Sequence, residues 1–144
     1  MQDAIERTLT VKAGKEKVYA AVSDPTKIIS WFPDAVEGSM EVGQQSSFDF
    51  GSDGKAQVYV VKATPFDYFA MRWYTGKEPV ADVLAAPNTL IEFRIEELAE
   101  GTKVTVKESG FASLPAEIAE KNFNDNTGGW EYMMGRLETV MNQE

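Results

Sequence analysis

Two periodicities divide the chain. Over residues 5–11, apolar and polar positions alternate with period two, the mark of a half-buried strand. Residues 13–22 then change to helical spacing, with Val18 and Val22 four apart. Asp24-Pro25 opens a second short helix, because aspartate caps free amide groups and proline is tolerated at the first helical position. That helix runs through Ile28, Ile29 and Trp31 and is stopped by Pro33.

Period two returns in the middle of the chain. Residues 46–51 set Phe48 and Phe50 on one face, and Ser52-Asp53-Gly54-Lys55 supplies an Asp-Gly turn of the kind that closes tight hairpins. In the next strand Ala56, Val58 and Val60 share a face with Lys62, opposite Gln57, Tyr59 and Val61. Past Thr64-Pro65, Phe69, Met71 and Trp73 alternate with Tyr68, Ala70, Arg72 and Tyr74, and the first trio is assigned to the concave face. Residues 89–96 point Ile91, Phe93 and Ile95 inward. After a turn at Glu100-Gly101, residues 102–108 alternate again, with Glu108 on the side of Val104 and Val106. Residues 75–87 are longer than a hairpin needs and carry Val80, Val83 and Leu84, so they are expected to fold over an opening.

The C-terminal stretch is helical. Trp130, Met133, Met134, Leu137, Val140 and Met141 recur at three- and four-residue steps, which gathers them on one face. Ser113-Leu114-Pro115 is the entry to this helix. The breaker-rich run 122–129 leaves open whether it is kinked or split. Gly128-Gly129 either lets the helix approach the sheet closely or forms a hinge, and close packing is the preferred reading. The order is therefore a strand, two short helices, about six strands and a long helix. This is an α+β domain spanning residues 1–144, with one helix covering a sheet of six to seven strands. A curved sheet covered by one helix seldom fills its own interior, which points to a cavity and to binding.

Composition narrows the partners. The 144 residues are 43% hydrophobic, yet no run approaches the roughly 18–20 apolar residues of a membrane span. The first residues lack the basic start and apolar run of a secretory signal, so a cytoplasmic protein without membrane insertion is expected. Asp and Glu number 23 against 14 Lys and Arg, a net charge of −9 that repels nucleic acid and anionic lipid. Neither His nor Cys occurs, which removes catalytic triads, Cys-His dyads and zinc sites built on nitrogen or sulfur ligands. Nothing calls for a cofactor or a metal. Proton transfer would fall to Asp, Glu, Lys, Tyr or an ordered water.

Candidate ligand contacts follow from parity. On the sheet they are Phe48, Phe50, Phe69, Met71, Trp73, Ile91 and Phe93; for the last five, lining and plain core packing stand level, because only a cavity separates the two. Trp31 and Phe32 read first as a plug for the end of the sheet and second as a pocket mouth. On the final helix Trp130, Met134 and Leu137 form an adjustable wall; Met133 and Met134 point about 100 degrees apart, so at most one faces a cavity squarely. Tyr132 is placed where it could reach the pocket edge. Glu108 is the one catalytic candidate, as an inward carboxylate whose pKa burial would raise. The plainer reading, a wet-rim residue paired with a lysine or arginine, carries more weight.

Several segments together resemble a known superfamily. They are Ile5-Glu6-Arg7 opening a strand, residues 18–25 leading to Trp31-Phe32-Pro33, the strand ending in Trp73, residues 101–106 leading to Gly110-Phe111, and Gly129-Trp130 with Leu137. In order and separation they are similar to START-like SRPBCC proteins, nearest to the branch named for homology to an activator of the heat-shock chaperone ATPase. The resemblance implies a helix-grip, Bet v 1-like fold. It also implies a cavity that in relatives takes lipids, polyketides or other apolar molecules, and in some relatives cyclase or dehydratase chemistry. It carries no fixed catalytic residue onto this chain.

Three functions follow in order of preference. The first is binding of a small hydrophobic or aromatic molecule. The second is a cyclase or dehydratase using the same cavity, with Glu108, Tyr132 or a water moving protons. The third is a protein partner in chaperone ATPase work, ranked last because the activators carry a further N-terminal domain that 144 residues do not accommodate.

Overall fold

The computed structural model describes residues 3–74, 76 and 78–143, so Thr75 and Lys77 of the predicted long loop lie outside the described residues. Strand β1 (Ala4–Val11) leads into helices α1 (Lys15–Ser23) and α2 (Pro25–Ile28). Six strands follow: β2 (Ala35–Glu37), β3 (Gln45–Asp49), β4 (Lys55–Thr64), β5 (Tyr68–Tyr74), β6 (Thr89–Leu98) and β7 (Gly101–Ser109). Helix α3 (Ala116–Met141) ends the chain. Every strand pairing is antiparallel, in the order β1-β7-β6-β5-β4-β3-β2, so the first strand closes on the last and the sheet stays open between β1 and β2. This curved sheet with a long helix against it is the α+β helix-grip arrangement.

Local chemistry explains most boundaries. The Asp24 side chain accepts from Thr26 N at 2.8 Å with Pro25 at the first helical position, which separates α2 from α1. The Asp53-Gly54 connection is broader than a two-residue hairpin. A 3-10 turn (Gly51–Asp53) precedes Gly54, and Phe50 N donates to Gly54 O at 2.8 Å. Helix α3 runs unbroken through Gly128-Gly129, because packing of Trp130, Met134, Leu137 and Met141 on its buried stripe outweighs about 1 kcal/mol of propensity lost at each glycine.

Parity fails at one place. The β4/β5 register shifts between Val60 and Lys62, so Val60 pairs with Met71 while Lys62 pairs with Ala70 and Ala63 with Phe69. The extra residue, Val61, turns Lys62 off the concave face expected for it and sets its ammonium 5.7 Å from the Tyr68 ring centroid.

The long loop also departs from expectation. Gln45 Nε2 donates to Val80 O and Gln45 Oε1 accepts from Val83 N, each at 2.9 Å. Asn88 Nδ2 donates to Val83 O and Ala86 O, and Arg72 Nη1 donates to Asn88 Oδ1. Gln45 and Arg72 belong to the set that alternates with the core residues, so residues 80–88 lie on the outer face, burying Val83 there, rather than over the opening.

Gly101 begins β7 at φ +153, and a Cβ there would stand 2.2 Å from Val11 O. No neighbour can yield, since the obstacle is backbone. Gly101→Ala is expected to lower unfolding free energy by at least about 2 kcal/mol, measured by urea denaturation.

Candidate functional site

The stripe of α3 that faces the sheet has a gap. Ala119, Trp130, Leu137 and Met141 are buried and Phe123 packs against the core, but the stripe position between Phe123 and Trp130 is held by Asn126. Gly129 beside it has no side chain. Opposite this gap lies a cavity of about 480 Å³, within the range of small-molecule sites. Asn126, Gly129, Trp130 and Met133 form its helical wall. Phe32, Phe50, Ala56 and Trp73 form the other wall. Exposed Asp53, Gly54 and Lys55 stand at the mouth and buried Glu108 at the inner end.

The aromatic wall is rigid because its rings support one another. Phe32 stacks between Trp31 (centroids 5.0 Å apart) and Trp73 (5.6 Å), and Trp130 tilts against it at 5.3 Å. Trp31 is itself locked by Nε1 donating to Ala21 O at 2.8 Å. Trp31 therefore backs the wall while Phe32 presents it.

Glu108 is 1% exposed and is the sole ionisable side chain among the buried polar residues described. Strand pairing puts Ile5 on one side of it and Ile91 on the other, so the two residues directly opposite it in the ladder are apolar. Three donors reach it instead. Thr89 Oγ1 donates to Oε2 at 2.6 Å, Trp130 Nε1 to Oε1 at 2.8 Å, and Asn126 Nδ2 is shared between both oxygens at 3.1 Å. No Lys or Arg among the described residues lies within 4.0 Å of it, which corrects the expectation of a wet-rim ion pair. Desolvation raises its pKa above 4.5, and the bonds from Thr89, Trp130 and Asn126, in that order, pull it partly back.

Phe50, Trp73 and Trp130 line the cavity together with Glu108. Trp31, Phe48, Phe69, Met71, Ile91, Phe93, Met134 and Leu137 are buried behind it as core and are absent from its wall. Of the methionine pair, Met133 lines the cavity and Met134 enters the core. Tyr132 is 65% exposed, away from the cavity. Close packing at Gly128-Gly129 is corrected too: a Cβ at either would meet nothing within 4 Å. Asn126 and Gly129 were missed as site residues, although a polar residue and a glycine on an otherwise apolar stripe were a readable sign of a gap.

Among the described residues no group of three or more His, Cys, Asp or Glu side chains could hold a metal ion, and no helix is long and apolar enough to cross a membrane.

The curved antiparallel sheet and the long helix it grips define a START-like protein of the SRPBCC type. More narrowly, the chain belongs to the family described as activator of Hsp90 ATPase homolog 1-like protein, whose model matches residues 12–142. No curated protein matches it. Among solved structures it is similar to DynU16, a protein in the dynemicin biosynthetic locus, at 25% identity and TM-score 0.77, over 96% of this chain and 47% of that one. The chain thus spans about half the length of that relative. It shares its fold with the Aha1 dimer from Colwellia psychrerythraea (20% identity, TM-score 0.76, 98% and 97% covered). The same holds for CalU16 from Micromonospora echinospora (19%, TM-score 0.70, 96% and 75%).

Because its pKa is raised, Glu108 contributes stability that is fully present below the ordinary glutamate value of 4.5 and is lost as pH rises through its higher folded value. The Glu108→Gln variant lacks that term. The stability gap between the two proteins, measured by urea unfolding from pH 4 upward, should move in the variant's favour as pH rises and then level off.

Proposed function

We propose that the chain binds a small, largely apolar or aromatic molecule in the cavity between the sheet and α3. The observation that carries this reading is the gap in the helical stripe: Asn126 and Gly129 leave about 480 Å³ of open volume against a preorganised aromatic wall. A helix selected only for packing would place a large apolar side chain there, since filling the gap would take the apolar surface of the aromatic wall out of water. The rigid stack of Trp31, Phe32 and Trp73 also keeps the ordering cost of binding low.

Titration with a naphthalene probe should change the fluorescence of Trp73 and Trp130, which line the site. Two adjacent glycines separate binding from folding. Gly128→Ala, outside the cavity wall, should raise stability by about 0.5–1 kcal/mol and leave affinity unchanged. Gly129→Leu, projecting into the cavity, should weaken the probe at least about tenfold without loss of stability. Equal affinity in the two variants would remove the cavity as the binding site.

Family membership favours a second reading, action on the heat-shock chaperone ATPase. Chain length does not argue against it, because this chain covers 97% of the solved Colwellia Aha1 chain. Purified protein added to the chaperone should raise its ATP turnover if this reading holds; no change at a several-fold molar excess removes it.

A further inference from the structure

The cavity's chemistry narrows the class of molecule that would fit it. Its inner end holds the one buried carboxylate described, whose three protein partners are all donors: a hydroxyl, an amide and an indole N–H. Donors stabilise the anion but do not neutralise it, and no Lys or Arg among the described residues is paired with it. The rim charges Asp53 and Lys55 oppose each other, so Glu108 sets the sign of the cavity. Around it stand the faces of Phe32, Phe50, Trp73 and Trp130, surfaces that attract cations through the ring quadrupole. A buried carboxylate beside aromatic rings, whose ionised form desolvation disfavours until a cation pairs with it, disfavours a carboxylate or phosphate ligand and favours a positive one. The net charge of −9 acts in the same direction by raising the local concentration of cations.

We infer that the cavity takes an apolar or aromatic molecule carrying a protonated amine, with the ammonium against the Glu108 carboxylate and the apolar body among Phe32, Trp73 and Trp130. The inference rests on the cavity being the ligand site. A carboxylate offers about four acceptor positions, and the four contacts from Thr89, Trp130 and Asn126 fill them, so a ligand N–H takes the place of one of the two 3.1 Å contacts that Asn126 makes. The ammonium then supplies the positive charge that the protein withholds, in a setting where desolvation strengthens the pairing.

Three ligands of matched size test it by calorimetry: a naphthylethylamine, the corresponding naphthylethanol, and naphthylacetate. The amine should bind at least about tenfold tighter than the alcohol, with the carboxylate weakest. In Glu108→Gln the amine and alcohol should come within about threefold of each other, with the alcohol little affected. Equal binding of amine and alcohol to the unaltered protein overturns the inference and leaves the cavity reading standing; binding of none of the three overturns both. The three-ligand series decides by itself should Glu108→Gln fail to fold. Glu120→Gln, an exposed position on the N-terminal part of α3, removes the same charge outside the cavity and should keep the amine preference. Loss of the preference there would assign it to net charge and overturn the role of Glu108.

Discussion

The structure turns on one buried carboxylate. Glu108, on β7, accepts from Thr89 on β6 and from Asn126 and Trp130 on α3, so a single side chain ties the sheet to the helix at the point where the two are held apart. Burying a carboxylate costs several kcal/mol, and hydrogen bonds to a charged group return about 1.5–3 kcal/mol each. Three such bonds recover part of that cost, and the raised pKa of Glu108 reflects the part they leave. They also fix the Trp130 ring, which closes against Phe32 and Phe93 and so sets the shape of the cavity wall.

The cavity itself is made by omission. Below it, from Trp130 to Met141, α3 docks with the regular steps of an apolar stripe; above it, Ala119 and the Phe111–Phe123 ring pair re-engage the helix. Support at both ends lets the middle remain unfilled without the helix collapsing onto the sheet. This is why Gly128-Gly129 neither bends nor packs closely: the helix is held elsewhere, and those residues face open space.

The elements were legible in the sequence because each rests on local chemistry: period-two strands, the Asp24-Pro25 start, and the three- and four-residue steps of α3. What stayed hidden depends on contacts distant along the chain. Parity put Glu108 inward, but its burial depends on Thr89, Asn126 and Trp130, which are 18–22 residues away and converge only in the folded state. The bulge at Val61 leaves no mark in a run of β-formers, yet it moves Lys62 to the opposite face. Inward parity likewise did not separate wall from core. Phe69, Met71, Ile91 and Phe93 face inward as read, but along the part of the sheet that core packing has filled.

Because Glu108 both docks the helix and faces the cavity, the two roles cannot vary separately. An apolar residue at that position would strand the Trp130 indole N–H and the Asn126 amide without partners, each costing about 1–3 kcal/mol in a buried setting. The rim and the helical wall carry no such debt: Asp53, Lys55 and Gly129 are exposed and Met133 is unbranched and adaptable. The charge at the inner end of the cavity is therefore tied to the stability of the fold, whereas the size and shape of its mouth are free to change. Variation in ligand size would accumulate at the mouth, while a change in the sign of the ligand's charge would require rebuilding how α3 meets the sheet.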